Sequence, residues 1–169
     1  MLCVALFVAI TALAIMRLLD DGPVSPMRYA VGRAGIDVEE FFLANEDKFE
    51  YIVDRLRESS YVGGELWIGI TKRTNEAVFS TDDYFFKTRT LPEDLGIILD
   101  DEFVECLRVI LIEGKLGRVF VKRYPTWPEF KVVFGNRRLA EASINYYEPV
   151  EAFQVTEEKI KGNWFYQKE

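Results

Sequence analysis

The side chains in this sequence that could do chemistry are carboxylates, tyrosines and lysines, because the chain contains no histidine. Histidine is the commonest general base and a frequent metal ligand, so histidine-dependent triads and zinc sites are excluded. The sequence also contains no phosphate-binding loop, dinucleotide fingerprint, paired CxxC motif or GxSxG nucleophile elbow. We therefore predict no catalytic residue, no cofactor and no metal site.

Two acidic groups are the remaining candidates for catalysis. Asp82 and Asp83 form one group, and residues 100–105 carry the other. Carboxylates suit hard cations and acid–base pairs, which would support a carboxylate-dependent enzyme assisted by a divalent ion. Acids in the second group also stand where a helix is predicted to begin, and the helix dipole stabilises them there without any catalytic role. We favour this structural interpretation.

A basic and aromatic stretch over residues 115–138 is the strongest candidate for a binding surface. It contains seven Lys or Arg residues against one Glu, interleaved with aromatic side chains. Such a mixture could contact phosphates and stack on bases, or lie against anionic lipid headgroups. The competing interpretation is a β-hairpin with an apolar inner face and a solvated, charged outer face.

A dense aromatic strand close to the C-terminus adds two residues to this candidate surface, although a closing strand that completes the core explains them more simply. The predicted binding surface therefore consists of Arg118, Lys122, Arg123, Trp127, Lys131, Trp164 and Tyr166. The net charge of −7 and the isoelectric point near 4.8 argue against a nucleic-acid partner, because phosphate contacts need a positive surface. An acidic surface instead favours a basic protein.

Residues 1–19 form an apolar segment in which Arg17 is the only charged side chain. A helix needs about 20 mostly apolar residues to span a bilayer, so we expect a single-pass membrane anchor here. A linker over residues 20–35 follows and begins Asp-Asp-Gly-Pro. A cleaved signal peptide would need a basic beginning, and a buried soluble helix would show a polar face. The anchor is the favoured interpretation.

The side of the membrane depends on few charges. Arg17 and Arg28 follow the anchor, and the positive-inside rule alone would keep the domain in the cytoplasm. The hydrophobic run starts within about three residues of Met1, which we interpret as the loss of a basic beginning that would reverse the orientation. We therefore expect an extracytoplasmic domain.

Two helices are predicted beyond the linker. Apolar side chains recur at three- and four-residue spacing over residues 36–59, with Asp37 as a cap and Asn45 as an interruption. A second helix is predicted over residues 101–113, with Gly114 as its C′ residue. Its cysteine, Cys106, is expected to be a buried hydrophobe outside any disulfide.

Strands account for most of the remaining chain. Alternating apolar residues predict them over 65–71, 77–80, 118–123, 130–134, 143–147, 150–155 and 163–167. The order of helix, hairpin, helix and further strands predicts one α+β domain over residues 36–169. Its two main helices should pack on one face of a mostly antiparallel sheet.

These observations favour a non-enzymatic protein-binding module held at a membrane, for which an immunity or inhibitor protein is one concrete version. An acidic domain, a membrane anchor and the absence of catalytic motifs motivate this hypothesis. The alternatives are the carboxylate-dependent enzyme described above and a structural component of an envelope assembly.

Overall fold

The structure is a computed structural model that describes residues 37–71, 74–81, 89–123, 129–135, 142–152 and 155–168. The predicted anchor and linker lie outside the described residues. Within the described part of the chain, no helix is both long and apolar enough to cross a membrane. The described residues form an α+β fold with three α-helices and a seven-stranded antiparallel sheet.

The three helices are α1 (Val38–Ala44), α2 (Glu46–Glu58) and α3 (Asp101–Arg108). Asp37 caps α1, because its carboxylate accepts hydrogen bonds from the backbone N–H groups of Glu39 and Glu40 at 3.0 and 3.1 Å. Asn45 separates α1 from α2, which confirms the predicted interruption. Its side-chain amide donates to the backbone carbonyl of Phe41 at 3.0 Å.

Helix α3 continues into a π-helical turn, Val109–Glu113, so the predicted extent of the second helix is confirmed. The predicted role of Gly114 was wrong, because its φ of −71° is right-handed and not the left-handed conformation of a C′ glycine. Space explains the glycine instead: a Cβ at this position would collide with the ring of Phe41. The end of this helical segment therefore packs directly against α1.

The sheet has the strand order β2-β1-β3-β4-β5-β7-β6, and every neighbouring pair is antiparallel. The strands are β1 (Gly64–Ile70), β2 (Ala77–Ser80), β3 (Val119–Arg123), β4 (Phe130–Phe134), β5 (Ala142–Glu148), β6 (Glu158–Lys161) and β7 (Trp164–Lys168). The strand predicted over 150–155 was wrong, because Val150–Ala152 forms a 3-10 turn. Strand β6 was not predicted, since its sequence EKIK offers a single apolar residue.

An aromatic cluster joins the helices to the sheet. The ring of Phe49 lies 5.1 Å from that of Phe42, 4.8 Å from Phe134 and 6.0 Å from Trp164, measured between centroids. Phe49 is 0 % exposed and Trp164 only 3 %. Edge-to-face contacts of this kind add to the gain from burying the rings. The aromatic strand near the C-terminus thus completes the core.

The opposite face of the sheet is also buried. Strand register places Phe120, Val133, Asn145 and Phe165 in one row across it, and all four are buried. The interpretation of a hairpin with a solvated outer face was therefore wrong for β3 and β4. The physical reason is that β3 and β4 carry apolar residues, Phe120 and Val133, on this face as well, and removing their surface from water is favourable.

The thiol of Cys106 is buried in α3, as predicted. Burial and the nearby carboxylate of Glu102 raise its pKa to about 11. A thiol with such a pKa stays protonated at neutral pH and is a poor nucleophile. Cys106 therefore acts as a small apolar side chain in the core.

The aromatic cluster predicts a large stability effect for Phe49→Ala. Removing a fully buried Phe typically costs about 3–5 kcal/mol, because a cavity replaces the ring. Urea unfolding of the full-length chain should show this loss. Leu43→Ala is the control, since Leu43 is 54 % exposed on α1 and its removal should change stability by less than about 0.5 kcal/mol. Equal losses from the two variants would contradict the assignment of Phe49 to the centre of the core.

Candidate functional site

Three members of the predicted binding surface lie on the sheet face opposite the helices. Lys122 pairs with Lys131 across β3 and β4, and the guanidinium carbon of Arg118 lies 4.2 Å from the centre of the Trp67 ring. The indole face attracts this cation. Lys131 is only 7 % exposed, whereas Arg118 and Lys122 are partly exposed.

The other described members lie on the helix-covered face. Arg123 donates from Nη1 to the backbone carbonyls of Arg57 and Ser59 at 3.1 and 2.9 Å, so it holds the end of α2. Trp164 is a core residue and does not lie on the surface, while Tyr166 is partly buried. Trp127 lies outside the described residues. The seven residues thus form no continuous patch where they are described, and binding through the exposed ones stays a prediction.

A chain of polar side chains that runs from the interior to the partly exposed Glu157 explains the position of Lys131. Its Nζ lies 3.0 Å from the hydroxyl of Tyr147, and that hydroxyl donates to Oε1 of Glu157 at 2.7 Å. Burial by itself would raise the pKa of Glu157. The hydrogen bonds from Tyr147 and from the backbone N–H of Thr156 have the larger combined effect, so the pKa of Glu157 is lowered. The buried lysine is therefore balanced by a carboxylate through the tyrosine.

A second polar cluster joins α2 to the end of β5. Arg57 donates from Nε to Glu148 at 3.0 Å and also bonds the hydroxyl of Tyr146, which itself lies 3.1 Å from Glu148. Burial raises the pKa of the Tyr146 phenol, so it stays protonated at neutral pH. Every group in this cluster has a partner within the fold, and the cluster therefore fastens the helix layer to the sheet.

Asp100, one of the acids considered for catalysis, makes hydrogen bonds that stabilise the fold. Its carboxylate accepts a hydrogen bond from the backbone N–H of Phe103 at 2.8 Å and caps α3. It also accepts from the hydroxyl of Tyr51 and from Arg55, whose Nη2 lies 2.6 Å away. Asp82 and Asp83 lie outside the described residues. Among the residues that are described, no group of three or more acids or cysteines is placed to hold a metal ion.

A groove of about 500 Å³ opens beside α3, where this helix faces the β1–β2 turn and a 3-10 turn at Pro92–Leu95. Its volume falls within the range of pockets that bind ligands or partner side chains. Apolar and polar side chains both line it: Ala77, Pro92, Leu99 and Val104 on the apolar side, and Asn75, Glu76, Asp101, Glu105 and Arg108 on the polar side.

The surroundings of this groove are strongly acidic. Residues 89–113 contain seven acids and two bases. The base in the groove, Arg108, bonds Glu105 at 2.7 Å and Glu113 at 2.7 Å, and these contacts raise its pKa and lower that of Glu105. Among the described residues that line the groove, three carboxylates therefore stand against one guanidinium, so this part of the groove carries net negative charge.

Three exposed apolar side chains stand in the segment that leads into α3. Leu91, Ile98 and Leu99 are 62, 61 and 41 % exposed, and they account for three of the five exposed large apolar side chains in the described part of the chain. Sequence reasoning missed this surface. The sequence feature that could have revealed this surface is the run of three apolar residues at 97–99, directly before the acids. Three consecutive apolar residues have neither helical nor strand spacing, so the pattern does not predict which of them are buried.

Compared with models of protein families, with curated proteins and with solved structures, the chain shows no significant match.

The cap at α3 predicts that Asp100→Ala lowers stability by about 1 kcal/mol at neutral pH, the usual contribution of an N-cap. The backbone hydrogen bond from Phe103, helped by Tyr51 and Arg55, lowers the pKa of Asp100 against the effect of burial. Because the pKa of Asp100 is lower in the folded chain, its carboxylate contributes fully to stability above its pKa in the unfolded chain, about 3.9. This contribution is lost as the pH falls through the pKa of Asp100 in the folded chain.

Urea unfolding at neutral pH and at a pH below the folded pKa should therefore show the difference from wild type shrinking in acid. Asp47→Ala is the control, because Asp47 lies exposed in the first turn of α2 without a capping role. A difference that stays the same at both pH values would contradict the role of the ionised Asp100.

Proposed function

We propose that this chain is a non-enzymatic protein-binding module, held at a membrane by residues 1–19 with its α+β domain on the extracytoplasmic side. It sequesters or neutralises a basic partner protein, as an immunity or inhibitor protein does. The long apolar segment with a single charge supports the anchor. The acidic groove beside α3 supports the binding role.

The observation that carries the binding role is the placement of exposed apolar side chains beside an acidic groove. Ile98 and Leu99 are exposed large apolar side chains, although Ile97 before them is buried. Clustered exposed apolar residues with a polar rim are typical of protein interaction sites. The acids around them select a partner of opposite charge.

Two of the carboxylates considered for the enzymatic alternative, Asp100 and Glu105, have structural tasks. Asp100 caps α3 and bonds Arg55, and Glu105 balances Arg108. A general base or a metal ligand must have lone pairs directed towards substrate or ion. The partners of these two acids occupy those positions, which favours binding over catalysis.

The anchor predicts that deletion of residues 2–19 moves the protein from the membrane to the soluble fraction. The full-length chain should stay with membranes after carbonate washing, because about 20 apolar residues partition firmly into a bilayer. Protease added to intact cells should digest the domain if it is extracytoplasmic. A full-length chain in the soluble fraction would overturn the anchor, and protection from protease in intact cells would overturn the orientation.

The groove predicts that a photo-reactive amino acid at position 99 cross-links a basic protein in native membranes. The same amino acid at position 159 is the control, because Lys159 is exposed on the edge strand β6 away from the groove. The adduct from position 99 should weaken when Asp101→Asn is added. No adduct, or the same adduct from both positions, would contradict binding at the groove.

A further inference from the structure

The groove has apolar lining residues, which we call its floor, and charged lining residues, which we call its rim, and the two sets place different demands on a partner. Ala77, Pro92, Leu99 and Val104 supply the floor, and they come from the sheet, the 3-10 turn, the loop before α3 and α3 itself. A floor of this kind is stabilised when a partner's apolar side chain removes it from water. The partner must therefore present at least one large apolar residue.

The rim selects the charge around that residue. Glu76 and Asp101 line the groove, are exposed, and have no ion pair among the described residues. Glu105 is different, because Arg108 bonds both of its oxygens at 2.7 and 2.8 Å. Because Glu76 and Asp101 have no ion pair with a described residue, each carboxylate can bind a cation, and Lys or Arg are the side chains that supply one.

We infer that the groove binds a basic amphipathic segment of a partner protein, in which an apolar anchor residue enters the groove and flanking Lys or Arg residues contact Glu76 and Asp101. The inference rests on the proposed function and names the chemistry of its partner. Leu91 and Ile98 are exposed and adjacent in sequence to the lining residues Pro92 and Leu99, so they are available to extend the apolar contact beyond the anchor residue. Charge complementarity of this kind raises association rates and fixes the register of the bound segment.

Synthetic peptides of one length test this chemistry on the full-length chain in phosphatidylcholine nanodiscs, with empty nanodiscs as the blank. The first peptide combines Leu and Lys in an amphipathic pattern, the second replaces Lys by Glu, and the third replaces Leu by Ser. Fluorescence anisotropy should show binding of the Leu–Lys peptide alone, weaker at high salt because exposed ion pairs are screened.

Groove variants separate specific binding from general attraction to an acidic protein. Leu99→Ser should weaken the Leu–Lys peptide about tenfold through lost apolar contact, and Asp101→Asn about threefold, as expected for an exposed ion pair. Leu43→Ser and Asp47→Asn are matched controls, since Leu43 is exposed on α1 and Asp47 in the first turn of α2. Equal weakening by variants and controls would overturn the inference.

The peptides and the photo-cross-link at position 99 distinguish two kinds of failure. If the cross-link captures a protein but the Leu–Lys peptide does not bind, the basic amphipathic partner is wrong and the protein-binding function stands. If the peptide binds at the groove and no protein is cross-linked, the chemistry of the groove stands and the proposed function is overturned. Failure of both overturns both.

Discussion

The packing of Phe49 is the contact on which the rest of the structure depends. Its ring touches Phe42 in α1, Phe134 in β4 and Trp164 in β7, so one side chain joins two helices to two strands. Fixing α2 in this way also fixes α3, because Arg55 of α2 bonds Asp100 at the start of α3. The shape of the groove beside α3 therefore depends on this core, against which its lining residues Ala77 and Val104 pack.

The second constraint is a sheet buried on both faces. Burying Lys131 would cost several kcal/mol if its charge stood alone. The hydroxyl of Tyr147 and the carboxylate of Glu157 offset that cost, and the aromatic ring of Tyr147 lies 4.5 Å below the ammonium group. Lys131, which the sequence of residues 115–138 suggested as part of a binding surface, thus helps to fill the sheet face opposite the helices.

Periodicity was sufficient to predict the α+β class, both main helices and most strands, because apolar spacing reports directly on burial. Strand β6 was not predicted, because a strand at the edge of the sheet needs few apolar residues and β6 has only one, Ile160. The burial of Trp164 depended on β7 lying between β5 and β6, which no local pattern specifies. The groove was not predicted either, because its lining residues Ala77, Pro92 and Val104 are distant in sequence and come together only when the sheet and α3 pack.

Asp100 and Asp101 show why a sequence cannot separate structural acids from acids that face a partner. Both stand where the helix dipole favours negative charge, so the dipole explains both equally. The carboxylate of Asp100 is occupied by Phe103, Tyr51 and Arg55, whereas that of Asp101 lines the groove in solvent. A partner cation can therefore bind Asp101 without removing the cap of α3, and binding need not cost the fold any stability.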